Sequence, residues 1–461
     1  MKKIFSVLAL VLILTDSKAQ NDDSVFIRRL ADEILENGKA YEDLRHLTKK
    51  IGGRLAGSPQ MVQAEQWGLK TFHSLNPDKA WLQECTVPHW VRGGKDETAA
   101  LYKKNASDKN LTRRSLNVIA LGNSKGSGAK GVKAEVIEIK SFDDLESKKD
   151  LVKDKVVFYN YKFNPKFVRT FEAYRDANAY RGSGASRAAK YGAKAVIVRS
   201  MSHSTDNHPH TGGMRYDSAY PLIPAVAIGL QDADWLSEQL SKGNVSVHLK
   251  TFGYFLPDTI GHNVIAELRG TEFPDEYITV GGHLDSWDNC EGAHDDGAGC
   301  VQTIEILRAF QALGYKPKRT IRFVLFANEE NGLRGGNKYA DEAKNKGEKH
   351  IFALESDAGG FTPRGFGLSG TDAQVKKFLS WQPLLAPYGA SELSRGGGGA
   401  DIGPLNRTQG TAVAGLQPDS QRYFDVHHAK NDVFENVNKR ELQLGAVNMA
   451  ALIYLVDKYG L

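Results

Sequence analysis

The fold is decided by residues 278–299, ITVGGHLDSWDNCEGAHDDGAG, together with IRFVLFANEENGLRGG (321–336) and HIFALESDAGG (350–360). Each segment begins as an apolar, strand-like run and ends in side chains that bind metals. These side chains are His283, Asp285 and Asp295 in the first segment, Glu329 and Glu330 in the second, and Asp357 in the third. Strands of an open α/β sheet bring their carboxyl ends to one edge, where ligands bind. We therefore expect these side chains to converge.

Such a cluster of carboxylates needs a counter-charge. Like charges in one cleft raise each other's pKa, and divalent cations remove that conflict. Imidazole and carboxylate groups suit zinc, and two zinc ions roughly 3.5–4 Å apart form a common hydrolytic site. One more histidine is required, and YFDVHHAKND (423–432) supplies His427 and His428. The sequence therefore predicts two zinc ions per chain.

Composition narrows the class of protein. The 461 residues are enough for two or three domains, and 41% hydrophobic residues with a net charge of +5 are typical of a globular protein. No basic stripe with interleaved aromatic residues indicates a nucleic-acid partner. Cys85, Cys290 and Cys300 are too few for a disulfide framework. The sequence leaves open whether Cys290 and Cys300 form a disulfide or stay buried as free thiols.

The first 19 residues have the pattern of a signal peptide. Lys2 and Lys3 precede the apolar run FSVLALVLIL, and the small residues Ser17 and Ala19 precede Gln20. The alternative is a membrane anchor, but the apolar run is short for a spanning helix. We therefore predict a secreted or periplasmic protein with no membrane association after the signal is cleaved.

The remaining chain divides into three parts. Residues 20–119 are predicted to be the N-terminal part of the catalytic domain and begin with amphipathic helices. Residues 120–252 contain short β-like runs without clustered carboxylates, which indicates an inserted, β-rich module. Residues 253–461 return to an α/β pattern, carry the metal-binding motifs and are predicted to be the main part of the catalytic domain.

Two segments, one with three histidines and one rich in glycine, are predicted loops. SHSTDNHPHTGGMRY (202–216) carries His203, His208 and His210, and its role as an entrance loop, a surface loop or a metal site is open. SRGGGGADIG (394–403) is expected to be a loop at the cleft. It lacks the lysine and the strand-to-helix context of a phosphate-binding loop.

The same motifs resemble the di-zinc peptidase family M28. GGHLDSWD (281–288), DDGAG (295–299), NEENG (328–332), ESDAG (355–359) and the late His-His-x-x-x-Asp occur in the family's order. The likeness is closest to the plasma glutamate carboxypeptidase branch, on the basis of YRGSGASRAAKYGAKA (180–195), PHTG (209–212), IPAVAI (223–228) and IGGRLAGS (51–58). It implies an α/β fold, with a mixed central sheet flanked by helices as in zinc aminopeptidases, an inserted protease-associated domain over 120–252, and a homodimer.

The resemblance also assigns the metal ligands. It implies that His283 binds one zinc ion, that Asp295 bridges both ions, and that Glu330, Asp357 and His428 complete the set. On the residues alone, Asp296 is an alternative to Asp295, Glu355 to Asp357, and His427 to His428. The family pattern favours Asp295, Asp357 and His428, and it leaves out His294. The branch often has glutamine or glycine where Asn289, Cys290 and Glu291 stand, so Glu291 is expected to add a carboxylate near the metals.

The catalytic roles combine the resemblance with strand geometry. His283 and Asp285 share one strand face, so Asp285 is expected to accept the second ring N–H of His283. Glu329 is left free as the general base for a metal-bound water, and a reversal of Glu329 and Glu330 is the alternative. The predicted function is hydrolysis of dipeptides or short peptides by a secreted zinc exopeptidase.

The sequence is also compatible with three other functions. They are a metal-dependent amidase that acts on a non-peptide or N-acyl substrate, a cyclase with one zinc ion, and a non-catalytic binding protein. The residues also leave open which substrate terminus is bound. Asp401 is a candidate for an α-ammonium group, and Arg395 and Arg334 are candidates for an α-carboxylate. Arg54 is either a cation at the cleft or a structural arginine.

Overall fold

The computed structural model describes residues 22–104, 107 and 110–461. The predicted signal segment, residues 1–19, lies outside the described residues. Within them the strands form two eight-stranded sheets, each flanked by helices. Within these ranges, no helix combines the length and apolar character that crossing a lipid bilayer requires.

The first sheet contains strands from both ends of the chain and is here called the peptidase sheet. Its order is β1-β10-β12-β11-β13-β16-β14-β15, with the bounds β1 Lys79–Val91, β10 Tyr254–Leu268, β11 Phe273–His283, β12 Arg319–Phe326, β13 Lys349–Glu355, β14 Pro363–Ser369, β15 Glu392–Arg395 and β16 Ala412–Pro418.

Four central strands of the peptidase sheet, β12, β11, β13 and β16, are parallel, and antiparallel strands flank them. His283 ends β11 and Glu355 ends β13, while Glu329 and Glu330 follow β12 by a few residues. The three predicted motifs therefore meet at one edge of the sheet. This mixed sheet with flanking helices confirms the predicted α/β class.

Helices cover both faces of the peptidase sheet. They are α1 (22–37), α2 Ala40–His46, α3 Pro59–Ser74, α8 Ala298–Ala312, α9 Arg334–Asn345, α10 Asp372–Leu379, α11 Gln382–Leu385, α12 Gly403–Gln409, α13 Tyr423–Val426 and α14 Lys439–Tyr459. The main core forms where α8 and α14 pack on the sheet. Ile304 and Leu452 from these helices contact apolar strand residues such as Val280 and Phe323. Burial of these apolar side chains is the main force that holds the layers together.

The second sheet belongs to residues 97–250. Its order is β3-β2-β9-β5-β6-β7-β8-β4, with the bounds β2 Glu97–Tyr102, β3 Thr112–Leu116, β4 Val118–Ala120, β5 Val132–Ile139, β6 Val156–Tyr159, β7 Ala195–Arg199, β8 Ala225–Ile228 and β9 Ser246–Lys250. Its helices are α4 Phe142–Ser147, α5 Thr170–Gly182, α6 Gly184–Ala189 and α7 Leu230–Lys242. We call residues 97–250 the second unit.

The second unit differs from the expectation in two respects. Its sheet begins at Glu97, whereas the predicted insert begins at residue 120. Strands β5 to β8 are parallel and alternate with helices, so the unit is α/β rather than β-rich. The antiparallel pairing of β2 with β9 joins residues that are distant in sequence, and the polar loop before β3 gives no indication of it in the sequence. The division into domains and the protease-associated identity of the insert stay predictions.

The second unit packs directly against the peptidase sheet. Phe163 and Met201 of the second unit share an apolar cluster with Phe361 and Phe424. Nearby, the indole of Trp287 is fully buried. A side chain built on Gly122 would meet that ring at 1.8 Å. The two units therefore touch beside the strand ends that carry the predicted site.

Candidate active site

Five predicted metal ligands meet at the carboxyl edge of the peptidase sheet. His283 Nε2 lies 3.3 Å from Asp295 Oδ1 and 3.3 Å from Asp357 Oδ1. His428 Nε2 lies 3.2 Å from Asp295 Oδ2 and 3.1 Å from Glu330 Oε2. Each carboxylate oxygen of Asp295 thus faces a different imidazole. The arrangement contains two adjacent sets of donor atoms that share one carboxylate.

Asp296 and Glu355, the alternatives to Asp295 and Asp357 as metal ligands, accept backbone hydrogen bonds instead. Asp296 is fully buried and accepts the N–H groups of His283 at 3.1 Å and Gly299 at 2.9 Å. Glu355 Oε2 accepts the N–H groups of Asp401 and Ile402 at 3.1 and 2.9 Å. Both side chains hold the loops that surround the site.

The adjacent histidines His427 and His428 stack with ring centres 3.5 Å apart. His427 Nε2 is 3.7 Å from Asp295 Oδ2. Of these two histidines, His428 is the one whose Nε2 lies close to both Asp295 and Glu330. His294, which the family pattern leaves out, stacks on Phe361 and accepts the N–H of Gly360. This geometry favours His428 over His427 as the group that faces both acids.

The loop that carries Asp295 is held by a buried acid. Residues Ala293–Gly297 form one wide turn before α8. Asp432 is fully buried and accepts the backbone N–H groups of His294 at 2.7 Å and Asp295 at 3.1 Å. The acid of the His-His-x-x-x-Asp motif therefore supports the turn that contains Asp295.

The ring of His428 is oriented from the second unit. Its Nδ1 lies 3.2 Å from the backbone carbonyl of Thr211, which can accept a ring N–H. That contact orients the ring so that Nε2 is directed toward Glu330 and Asp295. His428 also has φ of 61°, a left-handed conformation that residues other than glycine rarely adopt. Such local strain is common at functional sites.

Asp285 makes different contacts from those expected. The nearest acceptor for His283 Nδ1 is the backbone carbonyl of Asp285 at 3.0 Å, while its carboxylate is 3.8 Å away. The carboxylate instead accepts the backbone N–H groups of Glu329 at 2.9 Å and Glu330 at 3.3 Å. The expected side-chain hydrogen bond was wrong, because the turn after β12 presents two N–H groups that compete for this carboxylate.

Burial and crowding shift the pKa values of the acids. Burial, followed by the charge of Asp295, raises the pKa of Glu330 to about 7. Burial also raises the pKa of Glu329 well above its usual value, and the carboxylates of Asp357 and Glu330 add to this effect. Burial lowers the pKa of His428, but Glu330 and Asp295 outweigh it and raise the value to about 10. The cluster therefore has an excess of negative charge that favours a bound cation.

The donor atoms also pass a direct test of fit to a metal. Asp295 Oδ2 and Glu330 Oε1 are buried and have no hydrogen-bond donor among the described residues. Buried polar atoms normally have a partner, and leaving them without one costs free energy. Imidazole nitrogen and carboxylate oxygen are ligands of zinc and related ions. The residues present therefore fit divalent metal.

Arg54 is a structural arginine. It is fully buried, and its guanidinium donates to the carbonyl oxygens of Leu284, Glu291 and Gly292 at 2.5, 2.8 and 3.0 Å. These carbonyls belong to the two ends of the loop between His283 and Asp295. Arg54 therefore fixes the loop from beneath, and its charge is not exposed to the cleft.

Glu291 and the cysteines do not extend the cluster. The Glu291 carboxylate binds Lys49 at 2.6 Å and accepts the N–H of Phe434 at 2.9 Å, so the expected extra acid near the metals is wrong. All three cysteines are free, which settles the open question about Cys290 and Cys300 in favour of thiols. Cys300 donates to the carbonyl of His283 at 3.0 Å.

A cleft of about 1320 Å³ opens onto the cluster and is lined by both units. Asp295, Glu329, Asp357 and His428 line this cleft, together with Arg181, Gly213 and Tyr216 of the second unit. A second cavity of about 610 Å³ reaches Asp357 along the glycine-rich loop. Residues 202–216 therefore do approach the cleft. Their histidines are absent from the metal-like groups found in the described residues.

Sequence reasoning missed three supporting groups. Arg181 and Thr211 approach His428 from the second unit, where no cluster of charged residues drew attention. Asp432 was noted only as a marker of the last histidine. The family-like runs 180–195 and 209–212 were the available signals for the first two, because both run past the metal cluster.

Comparison with known proteins agrees with this geometry. The family model described as Peptidase family M28 matches residues 263–453. Carboxypeptidase Q of Mus musculus is 32% identical over 419 residues, which cover 91% of this chain and 85% of that protein. The chain belongs to peptidase family M28. This M28 protein is a metallopeptidase, which confirms the predicted enzyme class.

Other relatives of this M28 metallopeptidase match over nearly their whole length. Carboxypeptidase Q of Xenopus laevis is 32% identical, over 96% of this chain and 91% of that protein. The crystal structure of a peptidase M28 precursor from Shewanella amazonensis is also 32% identical, with a TM-score of 0.89 over 95% of this chain and 97% of that chain. A zinc aminopeptidase from Bacillus subtilis, 21% identical with a TM-score of 0.64 over 91% of this chain and 95% of that chain, shares the fold.

Proposed function

We propose that this M28 metallopeptidase is a zinc-dependent exopeptidase that hydrolyses dipeptides or short peptides. The observation that carries the proposal is the position of Asp295. Its two carboxylate oxygens lie 3.3 and 3.2 Å from the Nε2 atoms of His283 and His428, respectively. A carboxylate shared between two sets of donors is the arrangement that two-metal hydrolases use.

Two zinc ions would be held by neighbouring sets of side chains. His283, Asp357 and Asp295 form the first set, and Asp295, Glu330 and His428 form the second. When bound, the zinc ions would polarise the scissile carbonyl and lower the pKa of the attacking water. Tyr423 is buried and lines the cleft beside these side chains.

Glu329 acts as the general base. Its carboxylate lines the cleft, and it makes no hydrogen bond to a side chain or backbone group in the described residues. It takes a proton from the water that attacks the scissile carbonyl carbon, and it then gives that proton to the leaving amine nitrogen. Burial and the neighbouring carboxylates raise its pKa, so it holds the transferred proton more firmly than an ordinary glutamate does.

The positions of the other residues define supporting roles. Asp285 fixes the backbone of Glu329 and Glu330, and Thr211 fixes the ring of His428. The choice of an exopeptidase rests on the likeness to carboxypeptidase Q. We also propose export by way of residues 1–19 and a homodimer.

The test combines metal analysis with a peptide panel. The purified protein is examined for zinc by elemental analysis, and a panel of dipeptides, tripeptides and N-acyl amino acids is assayed with and without a chelator. We expect about two zinc ions per chain and chelator-sensitive release of amino acids from dipeptides. Two zinc ions with cleavage of N-acyl amino acids alone would instead identify an amidase. Absence of zinc, with no activity after zinc is added, would overturn the proposal.

A further inference from the structure

Arg181 is a charged group of the second unit that lies beside the metal-facing residue His428. It lies at the end of α5 (Thr170–Gly182) and lines the cleft. Its Nη1 is 3.4 Å from His428 Nδ1, and its Nη2 donates to the hydroxyl of Tyr174, whose ring lies 5.2 Å from the guanidinium carbon. The guanidinium is therefore held in place by an aromatic side chain.

Arg181 lacks the anion that such an arginine normally has. Within the described ranges, no carboxylate lies within 4 Å of its guanidinium, and its buried Nε has no acceptor. His428 Nδ1 is not an acceptor either, because its proton is directed to Thr211. A partly buried cation without a partner loses hydration that nothing replaces.

Other buried or partly buried arginines of the chain have acceptors for their guanidinium groups. Arg92 binds Asp288 at 2.6 Å, and Arg322 binds Glu348 at 2.6 Å. Arg54 has no carboxylate but donates to several backbone carbonyls. Arg181 alone among these four has a nearly free set of donors, and it is also the one that lines the cleft. The missing anion is therefore expected to arrive with the substrate.

We propose that Arg181 is the residue that binds the free α-carboxylate of the substrate in the proposed exopeptidase. This inference rests on the proposed exopeptidase function. Arginine suits the role because its planar donors match a carboxylate.

Distance along the substrate supports a dipeptide. His428 Nε2 faces the metal donors, and Arg181 lies beside Nδ1 of the same ring. The guanidinium is thus about one imidazole ring away from the metals. The carboxyl carbon of the residue after a scissile bond lies one residue from the reacting carbon, roughly 3.8 Å along the chain. A longer peptide would place a neutral amide at this position.

A glycine leaves the space that the guanidinium occupies. Gly212 has φ of 134°, and a side-chain carbon built on it would lie 2.6 Å from Arg181 Nη1. The backbone of the 209–212 turn therefore passes directly against the guanidinium.

The other candidate cations fit less well. Arg395 binds Asp372 at 2.5 Å and is absent from the lining of both cavities described above. Arg334 and Arg215 line the cleft but are exposed to solvent, where an ion pair contributes little. Asp401, the candidate for an α-ammonium group, is fully buried outside both cavities.

The kinetic test compares L-alanyl-L-leucine with its C-terminal amide, which lacks the negative charge. The zinc-loaded wild type, Arg181→Met, Arg181→Lys and the surface control Arg113→Met are assayed for kcat and KM. We expect the wild type to prefer the free acid. We expect Arg181→Met to lower that preference about ten- to a hundred-fold, mainly through KM. Arg181→Lys should retain part of the preference, and Arg113→Met should retain all of it.

Two kinetic results would overturn the proposal. One is equal use of the acid and the amide by the wild type. The other is an equal loss for both substrates in Arg181→Met, which would mean that Arg181 balances the charge of the site or supports His428.

A binding measurement separates this inference from the proposed function. The acid and the amide are titrated calorimetrically into zinc-loaded Glu329→Gln and into Glu329→Gln/Arg181→Met. We expect tighter binding of the acid to the single variant and loss of that difference in the double variant. This result would support the carboxylate site even if no peptide were hydrolysed. Equal affinity for the acid and the amide in the single variant would refute the site even if the peptidase were active.

Discussion

The carboxylate of Asp285 accepts a hydrogen bond from the backbone N–H of Glu329 at 2.9 Å. Its second oxygen accepts the N–H of Glu330 at 3.3 Å. One buried acid thus fixes the backbone of both the proposed base and the adjacent metal-facing acid. The relationship explains why the Asp two residues after His283 is needed, although its carboxylate does not bond to the histidine ring.

Asp285→Asn should slow catalysis without unfolding the protein. An asparagine side chain has one acceptor oxygen, so one of the two N–H groups would face an amide N–H₂ group. We expect kcat on a dipeptide to fall about ten- to a hundred-fold with a small change in KM, since substrate contacts are unchanged. The exposed Asp275→Asn is the matched control. An unchanged kcat in Asp285→Asn would remove its positioning role.

Glu329→Gln should retain zinc and lose turnover. The amide keeps the size of the side chain but cannot take a proton from water, and general-base catalysis contributes about 10²–10⁴-fold. The measurements are elemental analysis and kcat, with the exposed Glu36→Gln as control. Near-normal turnover would disprove the base assignment. Loss of zinc along with activity would show that Glu329 is a ligand.

His428→Ala and His427→Ala should differ in metal content. His428 contacts both Asp295 and Glu330, whereas His427 approaches only Asp295 at 3.7 Å. We expect His428→Ala to bind about one zinc ion and His427→Ala to bind about two, as measured after dialysis at a fixed free zinc concentration. The reverse pattern would exchange their roles.

Gly122→Ala should destabilise the contact between the two units. The new methyl group would overlap the Trp287 ring at 1.8 Å, and the ring is fully buried with no space to move. Overpacking of this kind costs about 1–3 kcal/mol, so the midpoint of thermal unfolding should fall. Gly243→Ala is the control, because a methyl group there meets nothing within 4 Å. Equal midpoints for the two variants would mean that Trp287 relocates freely.

Asp43→Asn should stabilise the protein at high pH. Burial, followed by the charge of Glu305, raises the pKa of Asp43 from 3.8 to about 6. A raised folded-state pKa means that the folded protein holds a proton that the unfolded chain releases between those values. The contribution of Asp43 to stability is therefore greatest below pH 3.8 and falls as pH rises to about 6.

Asp43→Asn has no carboxyl group to titrate, so it does not lose stability as pH rises through this range. Its denaturation midpoint in urea should exceed that of the wild type at pH 8, and the difference should shrink toward pH 5. Glu42→Gln in the same helical turn is exposed and should show a smaller change. A difference that is the same at both pH values would exclude titration of Asp43 as the cause.

The parts of the site that follow from strand order could be predicted from sequence. Apolar runs that end in acids, at residues 283–285 and 329–330, were enough to place those acids at one sheet edge, because parallel strands align their ends. The position of His428 required the family likeness, since nothing local distinguishes it from His427. Its contact with Glu330 depends on a left-handed backbone conformation that sequence does not reveal.

The parts that follow from contacts between distant segments could not be predicted. The Asp285 carboxylate could accept either the ring N–H of His283 or backbone N–H groups, and the turn after β12 brings the N–H groups of Glu329 and Glu330 to it. The pairing of β2 with β9 joins residues 97–101 to residues 246–250, which shifts the boundary of the second unit. Arg181 and Thr211 reach the site only because the two units pack together.

The hydrogen bond between the Thr211 carbonyl and His428 makes the active site a product of docking between the two units. Neither unit alone holds all the groups that orient the last histidine. A newly made chain therefore has no complete hydrolytic centre until both units have folded and met.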